Sequence, residues 1–181
     1  MKIMNLGQVA TFINGYPFKP TQWAFEGIPI IRIQDLTGSQ NNIHYFKGAI
    51  DKKYYVNQDD ILISWSGTLG VHKWLGNQAV LNQHIFKVVF DKNIEIDRDY
   101  FERQIAFILK NAEDQAHGAT MKHLTKKVFD SLTFKWVSIT EQIYISNILN
   151  CLEKIIIRKN KQIDYLEEAV KSRKVGEYCY E

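Results

Sequence analysis

The C-terminal run constrains this chain more than any other feature. From Thr140 to Lys174 the sequence TEQIYISNILNCLEKIIIRKNKQIDYLEEAVKSRK contains neither glycine nor proline. Thr140 is the expected N-cap, with the carboxylate of Glu141 in the first turn. Ile145, Leu149, Leu152, Ile156, Lys159, Ile163, Leu166 and Val170 follow one another in alternating steps of four and three residues. That is a heptad seam, so one long coiled-coil-forming helix is predicted over residues 140–175, with residues 176–181 as a tail. A helix of about 32 residues is about 48 Å long at 1.5 Å per residue, longer than the domain it leaves. Its apolar stripe therefore needs a partner: its own domain, a second copy, or another chain's helices. Lys159 is the one polar residue in the seam, and a lone polar residue there fixes register or orientation.

Residues 1–139 have a different texture. GIPIIRIQ (27–34), DILISW (60–65) and HIFKVVF (84–90) are short, β-branched or aromatic, and bounded by turn signals at Asn14-Gly15, Gly38-Ser39, Asn41-Asn42 and Gly76-Asn77. RDYFERQIAFILKNAE (98–113) puts Phe101, Ile105, Ile108 and Leu109 on one helical face, with Asp97 or Asp99 as the cap. The expected class is α+β: a mixed α/β globular domain over 1–139, then the long helix. With 45 % apolar and 13 % aromatic residues, the domain can build a core.

Net charge is +3, with 16 basic and 13 acidic groups in residues 1–139 and 7 of each beyond. A nucleic-acid face would have to come from placement rather than from the sum. Cys151 and Cys179 lack metal or redox spacing, and Cys151 is expected as a buried thiol. The N-terminus MKIMNLGQVATFIN breaks its apolar pattern with Asn5, Gln8 and Thr11, and no window reaches the ~18 apolar residues of a membrane span. A cytoplasmic protein without a membrane partner is the expectation.

Enzyme motifs are missing. GTLGVHK (67–73) lacks both the spacing and the Ser/Thr of a phosphate loop, and no GxGxxG occurs. His44, His72, His84, His117 and His123 form no HExxH and have no cysteine close by, so no metal site is expected. Ser64-Trp65-Ser66-Gly67 only approaches a nucleophile elbow. The histidine pair His72/His84 is the remaining enzymatic alternative.

Four loops instead carry long donor–acceptor side chains beside aromatics and cations. They hold Lys19, Thr21, Gln22 and Trp23; Arg32, Gln34, Ser39, Gln40 and Asn41; Ser64, Ser66, Thr68, His72 and Lys73; and His117, Thr120, Lys122, His123, Lys126 and Lys127. Such amides, hydroxyls and cations match base edges, while lysines serve phosphates, the candidates being Lys19, Lys73, Lys122 and Lys126. Asn82-Gln83-His84 is expected as the polar start of a strand, and Gly67 and Gly70 as turn residues.

Taken in order, LGQVATFINGYPFKP (6–20), GIPIIRIQDL (27–36), DDILISWSGTLG (59–70), NQHIFKV (82–88), HGATMKHLT (117–125) and VSITEQIYISNIL (137–149) resemble a type I restriction–modification specificity subunit, the HsdS family. The resemblance implies a target recognition domain that binds double-stranded DNA and a conserved spacer helix. It implies no cofactor on this chain, since S-adenosylmethionine belongs to the modification (methyltransferase) subunits and cleavage to the restriction subunit, both partners. A full subunit of that family has two recognition domains and two antiparallel helices; this chain has one of each, and lacks the prolines usual ahead of the helix. A half-subunit is then expected to homodimerise through its helix and to read an interrupted palindrome. The alternatives are a helical interaction module without a DNA role, or a truncated or silent specificity cassette.

Overall fold

The computed structural model describes residues 2–38, 43–115 and 126–177. Ser39, Gln40, Asn41, His117, Thr120, Lys122, His123 and Cys179 lie outside the described residues. Two compact units divide the chain, residues 1–137 and 138–181.

The first unit runs β1 (Lys2–Asn5), α1 (Leu6–Val9), β2 (Thr11–Asn14), a single 3₁₀ turn (Pro20–Gln22), β3 (Trp23–Ala24), β4 (Ile28–Ile31), α2 (Ile33–Thr37) and β5 (His44–Phe46). After a second 3₁₀ turn (Lys52–Tyr54) come β6 (Tyr55–Val56), β7 (Ile61–Ser64), β8 (Gly70–Lys73), β9 (Ala79–Leu81) and β10 (Ile85–Val89). It closes with α3 (Arg98–Gln115), α4 (Lys126–Ser131) and β11 (Thr133–Trp136). The second unit is built on α5 (Ile139–Glu177).

Three sheets organise the domain: β1-β11, β2-β10-β7-β8, and β3-β5-β4-β9-β6. All pairs are antiparallel except β4 with β9, where Ile30 faces Val80 and Ile31 faces Leu81. The three predicted apolar runs became β4, β7 and β10, and the amphipathic run became α3. RIQ left the strand, because the Asp35 carboxylate accepts the Arg32 backbone N–H (2.8 Å) and caps α2.

β7 is buried on both faces. On one side Ile31, Val56, Leu62, Ala79, Leu81 and Ile85 form a core. Elsewhere Phe12, Phe86, Phe101, Phe129 and Phe134 interlock, with Phe12 and Phe129 edge to face at 4.7 Å and Phe86 against Phe129 at 5.3 Å. Buried aromatics joining strand to helix through edge-on contacts give the domain its rigidity.

The chain passes from one large sheet to the other at Asn82-Gln83-His84, just before β10. Asn82 N–H donates to Ile31 O (3.0 Å), Gln83 N–H to Tyr16 O (3.0 Å) and Tyr16 N–H to Leu81 O (2.8 Å). His84 takes a positive φ of 72° to make this passage. These backbone bonds give the polar trio a clamping role at the junction.

The helix cap is Ser138, not Thr140: Glu141 N–H donates to Ser138 Oγ (3.3 Å), and the Glu141 carboxylate accepts from Ser138 N–H (3.0 Å). This reciprocal capping box satisfies two terminal donors at once. Cys151 is exposed, not buried; on the heptad it falls beside the seam rather than in it.

Candidate nucleic-acid interface

The β7–β8 hairpin is a loop on a rigid base. Ser64 pairs with Gly70 across it, and Leu62 with His72. Ser64 is fully buried and donates its hydroxyl to Gly70 O at 3.4 Å, so it acts within the hairpin. Trp65 is fixed by three neighbours: its indole N–H donates to Asn14 Oδ1 (3.1 Å), its ring stacks on Phe86 (5.5 Å), and His84 meets it edge-on (5.0 Å). Gly67 has φ 74° with no atom within 4 Å of where a Cβ would stand. Ser66 is half-buried, and Thr68 at the tip is exposed.

His72 is half-buried, with its Nε2 enclosed and without a hydrogen bond. Burial holds its imidazole below the ordinary value of 6.5. The unfolded chain therefore binds the proton more readily than the folded one. Stability is full above pH 6.5 and is lost as pH falls from 6.5 toward the lowered folded value. His72→Phe is expected to remove that acid-side slope from thermal melts recorded across pH.

Lys73 has a role inside the domain. Its ammonium lies 3.9 Å from Asp59 and 3.8 Å from Asp99, bridging the turn before β7 and the first turn of α3. Lys126 is similarly paired to Asp130 on α4. Both lysines thus have carboxylates that compete with any phosphate: Lys126 from four residues on along its own helix, Lys73 from elements distant in sequence. Lys19 is exposed and has no ion pair among the described residues.

A second group surrounds Trp23. The Gln22 side-chain oxygen accepts the Lys19 backbone N–H (2.9 Å), which closes the turn ahead of β3. Arg32 is 94 % removed from solvent, with its guanidinium 5.6 Å from the Trp23 ring centroid and 3.4 Å from the Asp35 carboxylate. His44 also meets Trp23 edge-on, at 4.1 Å. Gln34 is half-buried on α2. Lys19, Gln22 and Trp23 share one turn, and Arg32 packs against the tryptophan ring.

Along α5, Ile145 and Leu149 are half-buried, whereas Leu152, Ile156, Lys159, Ile163, Leu166 and Val170 are exposed. Ile148 and Ile155 widen the stripe on one flank and are also exposed. Lys159 leans along the helix to Gln162 Oε1 at 3.2 Å. Among the described residues, no group of three His, Cys, Asp or Glu could hold a metal ion. No described helix is long and apolar enough to cross a membrane.

A mixed α/β domain carrying polar loops is thus followed by a long helix with an exposed heptad stripe. The chain belongs to the family described as the type I restriction modification DNA specificity domain, whose profile matches residues 1–168. It is 22 % identical over 170 residues to the specificity subunit of the type I restriction enzyme EcoBI of Escherichia coli, covering 93 % of this chain and 35 % of that protein. It is 26 % identical over 156 residues to the MjaVIII specificity subunit of Methanocaldococcus jannaschii, covering 86 % of this chain and 33 % of that protein. The chain thus spans about a third of the length of these curated relatives. Its fold resembles the crystal structure of the HsdS subunit from Thermoanaerobacter tengcongensis, with a TM-score of 0.68 at 15 % identity over 86 % of this chain and 38 % of the other.

Proposed function

We propose that this chain reads a double-stranded DNA sequence for a type I restriction–modification system, without catalysing a reaction itself. The observation that carries the reading is the family match over residues 1–168, which takes in the loop-bearing domain and most of α5. The domain meets DNA, and modification subunits carrying S-adenosylmethionine methylate the site that it selects. A restriction subunit supplies cleavage.

The exposed stripe of α5 supports pairing with a second copy. In an antiparallel pair every seam position finds a partner: Ile145 with Val170, Leu149 with Leu166, Leu152 with Ile163, and Ile156 with Lys159 of the second copy. A shift by one heptad strands two seam residues on each helix. A parallel pair in register sets Lys159 against Lys159, like charges in one core layer, so the antiparallel form is favoured. Two-fold symmetry then presents identical domains to inverted half-sites.

Methylome sequencing of a host with and without this chain and its modification subunit tests the reading. New methylation at an interrupted palindrome is the expected result; an unchanged methylome overturns it. At the level of binding, Lys19→Gln is expected to weaken all duplexes alike and to flatten the salt dependence by about one unit. Lys73→Gln is expected to change the slope less, because Asp59 and Asp99 already compensate its charge. Measuring affinity against salt for both variants separates the two roles.

A further inference from the structure

We infer that Phe25 is an apolar wedge that contacts a nucleobase face, with the cleft beside it as its seat; this rests on the DNA-reading function proposed above. Phe25 lies in the link between β3 and β4, and its side chain is fully exposed (103 %). Chance exposure of a flexible tip does not describe this link. In the five-stranded sheet β5 lies between β3 and β4, so Phe25-Glu26-Gly27 must cross over the end of β5. Gly27 has φ 124°, and a Cβ there would stand 2.5 Å from Phe46 O, so the crossing is tight against the strand beneath. Glu26 is tied to Lys47 beyond β5 at 2.6 Å. The backbone on both sides of Phe25 is therefore held, and the phenyl ring is presented to solvent.

The adjoining cleft has a volume of about 660 Å³ and is walled by Pro20, Trp23, Phe25, Ile43, His44 and Tyr45. Trp23 is packed against both Arg32 and His44. Rigid aromatic walls suit a flat heterocycle, because stacking needs no reorganisation and every base has a π face. An inserted side chain of this kind unstacks one base step and kinks the duplex.

Charge selects the polyanion over an apolar protein segment. Within residues 2–58 Arg32, Lys47 and Lys53 are paired to Asp35, Glu26 and Asp51. Lys19, next to the cleft wall Pro20, and Lys52 have no ion pair among the described residues. Residues 59–115, by contrast, carry nine carboxylates against six cations. The aromatic cleft thus belongs to the stretch of the domain with uncompensated positive charge.

The test uses the full chain and duplexes enriched by the wild-type protein from a random pool, with 2-aminopurine placed at successive positions. One position is expected to brighten on binding, and Phe25→Ala should abolish that signal and weaken specific binding at least tenfold. The salt slope should stay unchanged, since no cation is lost, and Phe25→Leu should retain most of the affinity. If Phe25→Ala binds as wild type and no position brightens, the wedge is wrong while DNA reading stands. If that variant keeps DNA but loses the modification subunit in co-sedimentation, the cleft is a protein contact and the inference is likewise overturned. If wild type enriches no duplex, the DNA-reading function itself fails.

Discussion

Replacing Leu152 and Leu166 together by glutamate is expected to convert a dimer into a monomer in sedimentation, with the domain still folded. Both leucines are exposed in the single chain, at 49 % and 66 %, so neither holds up the fold around it. In the antiparallel pair each is covered by Ile163 or Leu149 of the second copy. Burial of a leucine contributes about 2 kcal/mol, and the dimer has four such sites. Losing them amounts to roughly 8 kcal/mol, which is more than five decades in Kd. The carboxylates add the cost of desolvating charge in a seam. Lys159→Leu should act in the opposite direction, strengthening association while weakening its preference for one orientation. A Leu152→Glu/Leu166→Glu protein that remains dimeric at micromolar concentration shows that the seam is misassigned.

Gly15→Ala is expected to be among the most damaging single changes in the domain. The added Cβ would stand 1.9 Å from Asn82 O and 2.7 Å from Leu81 O, both backbone atoms that no rotamer change can move. Relief requires separating the strands, which breaks the bonds from Gly15 N–H to Ile85 O and from Tyr16 N–H to Leu81 O, and the return bond from Gln83 N–H to Tyr16 O. At about 1 kcal/mol for each bond, the loss is roughly 3 kcal/mol or more, a melting-temperature drop near 10 °C for a chain of this size. Gly67→Ala is the control: its Cβ meets nothing, so only the positive φ costs, about 1 kcal/mol. Thermal melts followed by circular dichroism compare the two. Equal melting temperatures would mean that the junction is looser than its hydrogen bonds indicate.

Long periodic segments were legible in the sequence, and short ones were not. The seam from Ile145 to Val170 repeats often enough to announce α5, and Phe101, Ile105 and Leu109 announce α3. Strands such as Trp23–Ala24 and Tyr55–Val56 have two residues each, too few to show alternation. They exist because neighbouring strands offer hydrogen bonds, which is a tertiary cause. The cap of α3 falls on Asp97, one of its two candidates, whereas that of α5 lies two residues ahead of Thr140, because Ser138 and Thr140 are chemically equivalent candidates until backbone geometry chooses between them.

The same limit applies to the candidate interface. Lys19, Gln22 and Trp23 are neighbours in sequence, so their clustering could be read directly. Lys73 meets Asp59 and Asp99 from separate elements, and Arg32 reaches Trp23 from across β5; neither pairing leaves a local trace. Phe25 gives no signal in the sequence, because one phenylalanine in a run as short as Trp23-Ala24-Phe25 shows no periodicity. Its significance comes from the crossover that holds its backbone.

Selection of duplexes from a random pool by the purified chain decides whether it reads DNA as a two-fold pair. One interrupted palindrome is expected to be enriched, with two identical half-sites in inverted orientation at a fixed spacing. A pool that stays flat through successive rounds would mean that the chain does not read DNA sequence.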